Sequence, residues 1–241
     1  MLSKNEVKYI QSLCHKKQRQ EDGVFVVEGP KLTEELVKSE YRIRKIYAVK
    51  DWIEENTAID SVQLVSEDEL QRISNLQAPN KVLAIAEQPV ITAKPLWHNT
   101  LSIMLDGIQD PGNLGTIIRI ADWFGITQVI CSMDTVELYN PKVIQGTMGS
   151  FTRVTTWYTD LEAMLPTIPV PVFGALLQGE SIYNSTQPKE GIILIGSEGK
   201  GIRPNLLPFV TAPVTIPRMG GAESLNAAVA TAIIVSHLKG A

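Results

Sequence analysis

The sequence predicts an α/β protein built from two successive units. Strand-like apolar runs alternate with amphipathic helical segments along most of the chain. Residues 88–97 (QPVITAKPLW), with two prolines and no periodicity, interrupt that alternation and read as a linker. Several later runs, such as Ile192-Ile193-Leu194-Ile195, are apolar without alternation, as expected of parallel strands covered on both faces. The expected boundaries are 1–95 for a small unit with its linker and 96–241 for a larger one.

In the first unit, Ser3 and Glu6 form a capping-box pair ahead of Val7, Ile10, Leu13 and Cys14 at helical spacing, which predicts a helix over 3–20. A strand over 24–27 (VFVV), a helix over 31–38 and a strand over 43–49 follow. Ser66 and Glu69 open a second capped helix, and residues 82–86 close the unit as an apolar strand. The second unit begins with a strand over 101–105, a helix over 113–124 and a strand over 127–131, one right-handed βαβ unit. Strands over 170–177, 191–195 and 213–216 and a final helix over 224–239 complete it.

Composition bounds the class. Hydrophobic residues make up 44% and charged residues 20%, ordinary for a globular chain with a sizeable core. No run reaches the roughly 18 apolar residues of a membrane span, and the start MLSKNEVKYI carries no hydrophobic signal segment. Cys14 and Cys131 have no metal-ligand spacing and His15, His98 and His237 are scattered, so no metal is expected and a reducing cytoplasm fits. The net charge of −4 argues against non-specific coating of nucleic acid. Residues 1–20 nevertheless carry Lys4, Lys8, Lys16, Lys17 and Arg19 against Glu6 alone; a solvated helix face and a phosphate-contacting patch fit this equally.

Three loops each follow a strand, the position where open parallel sheets gather ligands. They are 106–115 (DGIQDPGNLG), leading into a helix that carries Arg119; 196–201 (GSEGKG); and 217–226 (PRMGGAESLN), leading into the last helix. No G-x-G-x-x-G, P-loop or G-x-S-x-G pattern occurs in them, which sets aside nicotinamide enzymes, P-loop NTPases and α/β-hydrolases.

Asn113-Leu114-Gly115 with Arg119, Ile195-Gly196-Ser197-Glu198-Gly199, and Ile216-Pro217 with Glu223-Ser224-Leu225-Asn226 resemble the three motifs of the SpoU (TrmH) family of RNA 2′-O-ribose methyltransferases, in the SPOUT superfamily. Residues 24–39 (VFVVEGPKLTEELVKS) resemble the family's N-terminal substrate-binding domain, which is similar to ribosomal protein L30e. The resemblance implies a trefoil-knotted parallel sheet, S-adenosylmethionine as cofactor, RNA as partner, and a homodimer in the cytoplasm. It implies ribose 2′-O-methylation, of ribosomal RNA first; transfer RNA, or an inactive RNA-binding module, are the alternatives. Leu176, Gly196, Glu198, Ile216 and Leu225 would surround the cofactor, with Gly199, Gly201, Gly220 and Gly221 allowing close backbone approach.

The implied catalytic set is Arg119, Asn113, Glu198, Ser224 and Asn226. Each has a plainer reading beside it. Asn113 and Ser224 are good helix N-caps, and Arg119 stands one turn from Asp122 as a surface ion pair. Glu198 could merely solubilise a turn, and the apolar final helix could bury itself within one subunit or between two. A guanidinium has no acceptor, so Arg119 suits orienting the 2′-hydroxyl and stabilising its alkoxide better than removing its proton.

Overall fold

The computed structural model describes residues 1–184 and 187–240. The chain divides into two compact units, residues 1–90 with 139–152, and residues 91–138 with 153–240.

The first unit opens with two helices, α1 (Lys4–Ser12) and α2 (Lys16–Asp22), where periodicity predicts one. Their junction explains the difference. Arg19 is 1% exposed, and its Nη1 donates to Leu13 O and Cys14 O, both at 2.7 Å, satisfying carbonyls left unpaired where α1 ends. Arg19 therefore belongs neither to a solvated face nor to a phosphate-contacting patch, the two readings left open for residues 1–20. Then come β1 (Val24–Glu28), α3 (Pro30–Val37), β2 (Ile43–Ala48), α4 (Lys50–Glu55), β3 (Val62–Leu64), α5 (Glu67–Ile73) and β4 (Val82–Glu87). The sheet order is β1-β4-β2-β3, antiparallel except between β2 and β3. Ile10, Leu13, Val26, Tyr47, Leu70 and Ile85 share its core. The second capping box forms as expected, with Glu69 N donating to Ser66 Oγ (3.2 Å) and Ser66 N to Glu69 Oε2 (3.0 Å). At the first, Ser3 Oγ accepts from Glu6 N (3.2 Å), while the Glu6 carboxylate meets Lys45 Nζ (2.6 Å) and Tyr47 OH (2.9 Å).

The chain continues with β5 (Leu101–Asp106), α6 (Pro111–Trp123) and β6 (Gln128–Ser132). Residues 139–152, holding α7 (Pro141–Thr147), belong to the first unit, where Tyr139 and Phe151 pack their rings on Phe25 of β1. A division at one linker does not anticipate this return. The second unit resumes with β7 (Thr155–Thr159), α8 (Leu161–Met164), β8 (Val172–Ser181), β9 (Gly191–Gly196), β10 (Ala212–Thr215) and α9 (Ala227–Lys239). Its six strands run parallel in the order β10-β8-β9-β5-β6-β7. From β5 the chain builds outward through β6 and β7, then supplies β8, β9 and β10 on the other side. The order therefore reverses between β5 and β9, the crevice where open parallel sheets hold ligands. The last residues of those strands, Asp106 and Gly196, are direct register partners. No helix among the described residues is long and apolar enough to cross a membrane.

Candidate active site

The β5–α6 loop sets the first side chain. Asp110, rather than Asn113, is the N-cap of α6; its Oδ1 accepts from Asn113 N (2.8 Å), and Pro111 fills the first helical position, where no N–H is needed. Capping by Asp110 frees the Asn113 side chain. Its Nδ2 donates to Glu198 Oε1, and its Oδ1 accepts from Asn226 Nδ2 at 2.8 Å.

Glu198 stands exposed in a turn after β9, closed by Gly201 N donating to Ser197 O (2.8 Å) with Gly201 at φ +66°. Gly196 is required by this turn itself. A Cβ there would lie 2.0 Å from Gly201 C and 2.2 Å from Ile202 N, so the polypeptide folds back over the position expected to open toward a cofactor. At Gly199, Gly220 and Gly221 an added Cβ meets open space.

Asn226 is the N-cap of α9, a role the sequence reading gives to Ser224. Its Oδ1 accepts from Ala228 N (3.0 Å) and Val229 N (3.2 Å), two of the helix's unpaired amides, and the helix begins at Ala227. Ser224 lies exposed in the preceding loop. Asn113 thus gathers two of the other predicted residues, Glu198 and Asn226, from two other loops.

Arg119 lies on α6 with its side chain exposed and has no ion-pair partner among the described residues. The helix pair with Asp122 does not form. Both oxygens of Asp122 are taken by Arg153, with Nε at 3.1 Å from each and Nη2 at 2.8 Å from Oδ2. Of the expected cofactor residues, Leu176 and Ile216 are half-buried and Leu225 is 45% exposed. They lie on β8, just after β10 and just before α9. Cys131 is buried on β6, where burial pushes its thiol well above the ordinary cysteine range, as suits a packing residue.

Residues 100–236 match the SpoU rRNA Methylase family. The chain belongs to the SpoU rRNA methylase family. Residues 4–84 of this SpoU family member also match the MRM3-like substrate binding domain. A similar curated SpoU relative is the 23S rRNA (guanosine(2553)-2'-O)-methyltransferase RlmP of Bacillus subtilis, 32% identical, with 99% of this chain and 98% of the relative covered. A structure described as an RNA methyltransferase of the TrmH family, from Porphyromonas gingivalis, superposes with a TM-score of 0.89 at 36% identity, covering 99% of this chain and 98% of that one. An AdoMet-bound rRNA methyltransferase from Sinorhizobium meliloti superposes with a TM-score of 0.87 at 28% identity, covering 99% and 96%.

Proposed function

We propose that this SpoU family chain transfers a methyl group from S-adenosylmethionine to a ribose 2′-hydroxyl of ribosomal RNA. The observation that carries the reading is Asn113, hydrogen-bonded to Glu198 and to Asn226, at the crevice between β5 and β9.

The residues present fit the cofactor. Leu176, Ile216 and Leu225 offer partly exposed apolar surface, and a Cβ added at Gly199, Gly220 or Gly221 would meet nothing within 4 Å among the described residues. These three side chains, with the backbone of Gly196 and Glu198, would hold it. When bound, S-adenosylmethionine supplies an electrophilic methyl group on a sulfonium. The chain's own task is to align the 2′-hydroxyl in line with that methyl and to favour its alkoxide. Arg119, exposed and without an ion-pair partner among the described residues, orients the hydroxyl and the adjacent phosphate and stabilises the alkoxide as it forms. Glu198, Ser224 and Asn226 position the loops, the RNA and a water that takes the proton.

The first unit binds the RNA substrate, in keeping with the domain its sequence matches. Two copies pair through α9, whose Val229 is 49% exposed and whose Ala232, Ile233, Ser236 and His237 line, with Phe124 and Tyr183, a cavity of about 490 Å³. The place of work is the cytoplasm, in keeping with the ribosomal RNA named as the substrate of the Bacillus subtilis relative. The test uses tritiated S-adenosylmethionine and ribosomal RNA from a strain lacking this gene. That RNA should accept one methyl group per copy at a ribose, and RNA from the parent strain should accept none. No incorporation into either would overturn the reading.

A further inference from the structure

One guanidinium at the carboxyl end of the parallel sheet is tied to two further loops, and the mechanism above does not use it. Asp106, the last residue of β5, is 1% exposed, and its carboxylate accepts from Arg203 N (2.7 Å) and Arg203 Nε (2.5 Å). Nη2 of the same side chain lies 3.7 Å from Asp134 Oδ1 in the loop after β6. A buried carboxylate is unfavourable unless paired and hydrogen-bonded, and Arg203 supplies both of these donors. The end of β5 is also fixed from the β6 side. Gly107 N donates to Ser132 Oγ (2.9 Å), and that hydroxyl meets Thr135 Oγ1 (2.9 Å).

Arg203 stands two residues after the 197–201 turn that carries Glu198, and Asp106 opens the loop that leads to Asn113. Beyond the β5–β9 register that pairs Asp106 with Gly196, Arg203 is thus a second tie between the loops that carry Glu198 and Asn113. We infer that Arg203 is a positioning residue for methyl transfer, holding the 197–201 turn through Asp106 and Asp134 so that Glu198 reaches Asn113. This rests on the function proposed above. Lysine could not substitute: one ammonium cannot reproduce a contact through Nε and a second through Nη2.

Arg203→Ala would leave the buried Asp106 carboxylate with the backbone N–H of residue 203 but without its cation and endanger the fold, so the test uses Arg203→Lys and Asp106→Asn in the full chain. Each is combined with Glu198→Ala, which removes the oxygen that accepts from Asn113 Nδ2. Single-turnover methylation of ribosomal RNA from a strain lacking this gene is read at saturating cofactor and RNA, with melting temperature in parallel. Arg203→Lys and Asp106→Asn should each lower the rate roughly tenfold or more. In the Glu198→Ala background, where Asn113 Nδ2 has lost its acceptor at 198, either should lower it by less than about twofold, because both changes then remove the same interaction. A double variant whose loss is the product of the single losses overturns the inference, as does a wild-type rate in Arg203→Lys. The two failures are distinguishable: an inactive wild-type protein overturns the function and this role together, while an active one with multiplying losses overturns this role alone.

Discussion

Asn226 Nδ2 donates to Asn113 Oδ1 across 2.8 Å, joining the N-cap of α9 to the first turn of α6. Local chemistry orients both amides. Asn226 Oδ1 is committed to Ala228 N and Val229 N, so its Nδ2 must point outward. Asn113 then presents oxygen to Asn226 and nitrogen to Glu198, whose Oε1 accepts. A carboxylate at 113 would still accept from Asn226 but would face Glu198 with like charge. Asn113→Asp should therefore lower single-turnover methylation on the order of 10²-fold, as when one preorganised group is lost from a site. Because these bonds are exposed, stability should fall by only about 0.5–1.5 kcal/mol. Retained turnover with a lowered melting temperature would make Asn113 a structural residue.

Gly196 and Gly199 separate folding from binding. At Gly196 a methyl group would sit 2.0 Å from the backbone of Gly201, which cannot move without opening the turn. Gly196→Ala should thus destabilise by at least about 1–3 kcal/mol, the usual range for overpacking, whether or not cofactor is present. Gly199→Ala meets open space, so its melting temperature should match wild type. Any loss of S-adenosylmethionine affinity, measured by calorimetry, then reports on the site alone. A destabilised Gly199→Ala would contradict this division.

Glu6 makes the first unit sensitive to acid. The Lys45 ammonium, foremost, and the Tyr47 hydroxyl hold its carboxyl below the ordinary range against a smaller opposing effect of burial. A depressed folded-state pKa contributes stability that is present above the unfolded value, about 4.3, and is lost as the pH falls through the folded value. Lys45 is partly exposed, so the pair contributes below about 1 kcal/mol. Urea unfolding followed from about pH 7 to pH 3 should show a shallower acid limb in Glu6→Gln. An unchanged limb would remove Glu6 from the account.

Much of the second unit was legible because strands buried on both faces read as unbroken apolar runs; Leu101–Asp106 and Gly191–Gly196 are found where those runs stand. Caps were less legible. Asp110, Asn113, Ser224 and Asn226 all carry side chains suited to capping, and only the path of the backbone decides which one accepts. Residues 133–169 gave no pattern because their elements are short and β7 (TTWYT) mixes polar and apolar positions. The return of residues 139–152 to the first unit has no local signal, since periodicity tells which face is buried and not against what. Charge counting failed at Arg19 for a related reason: it sums charge without its place. Asp106 and Arg203 were passed over because their importance lies in a pairing 97 residues apart.

The proposed pairing of two copies predicts a particular sensitivity on α9. Thr231, Ile234, Val235 and Leu238 are buried, whereas Val229, Ala232, Ile233 and Ser236 form a stripe on the opposite side at helical spacing, less fully covered. Trp123, 83% exposed, and Tyr183, 62% exposed, enlarge the apolar surface of this unit. A stable dimer buries roughly 800 Å² per partner, and a charge at its centre is poorly tolerated. Wild-type protein should sediment as a dimer and Val229→Glu as a monomer with an unchanged circular dichroism spectrum. A monomeric wild type at micromolar concentration would overturn the pairing.

Arg119 separates catalysis from structure most sharply, because the fold makes so little use of it. Its neighbour Asp122 is engaged by Arg153, and its own side chain is exposed without an ion-pair partner among the described residues. Removing an exposed, unpaired side chain usually changes stability within about 0.5 kcal/mol, so Arg119→Ala should keep the wild-type melting temperature. It should also keep S-adenosylmethionine affinity, since the cofactor is held by other loops. Methylation should nevertheless fall on the order of 10²-fold or more, the effect of losing one donor aimed at developing negative charge. Arg119→Lys should recover little, because an ammonium cannot bridge a hydroxyl and a phosphate as a planar fork does. Single-turnover rates at saturating RNA and cofactor decide the matter, with melting temperature measured on the same preparations. Near wild-type turnover in Arg119→Ala would mean that the alkoxide is stabilised elsewhere, and the mechanism built on this residue would fall.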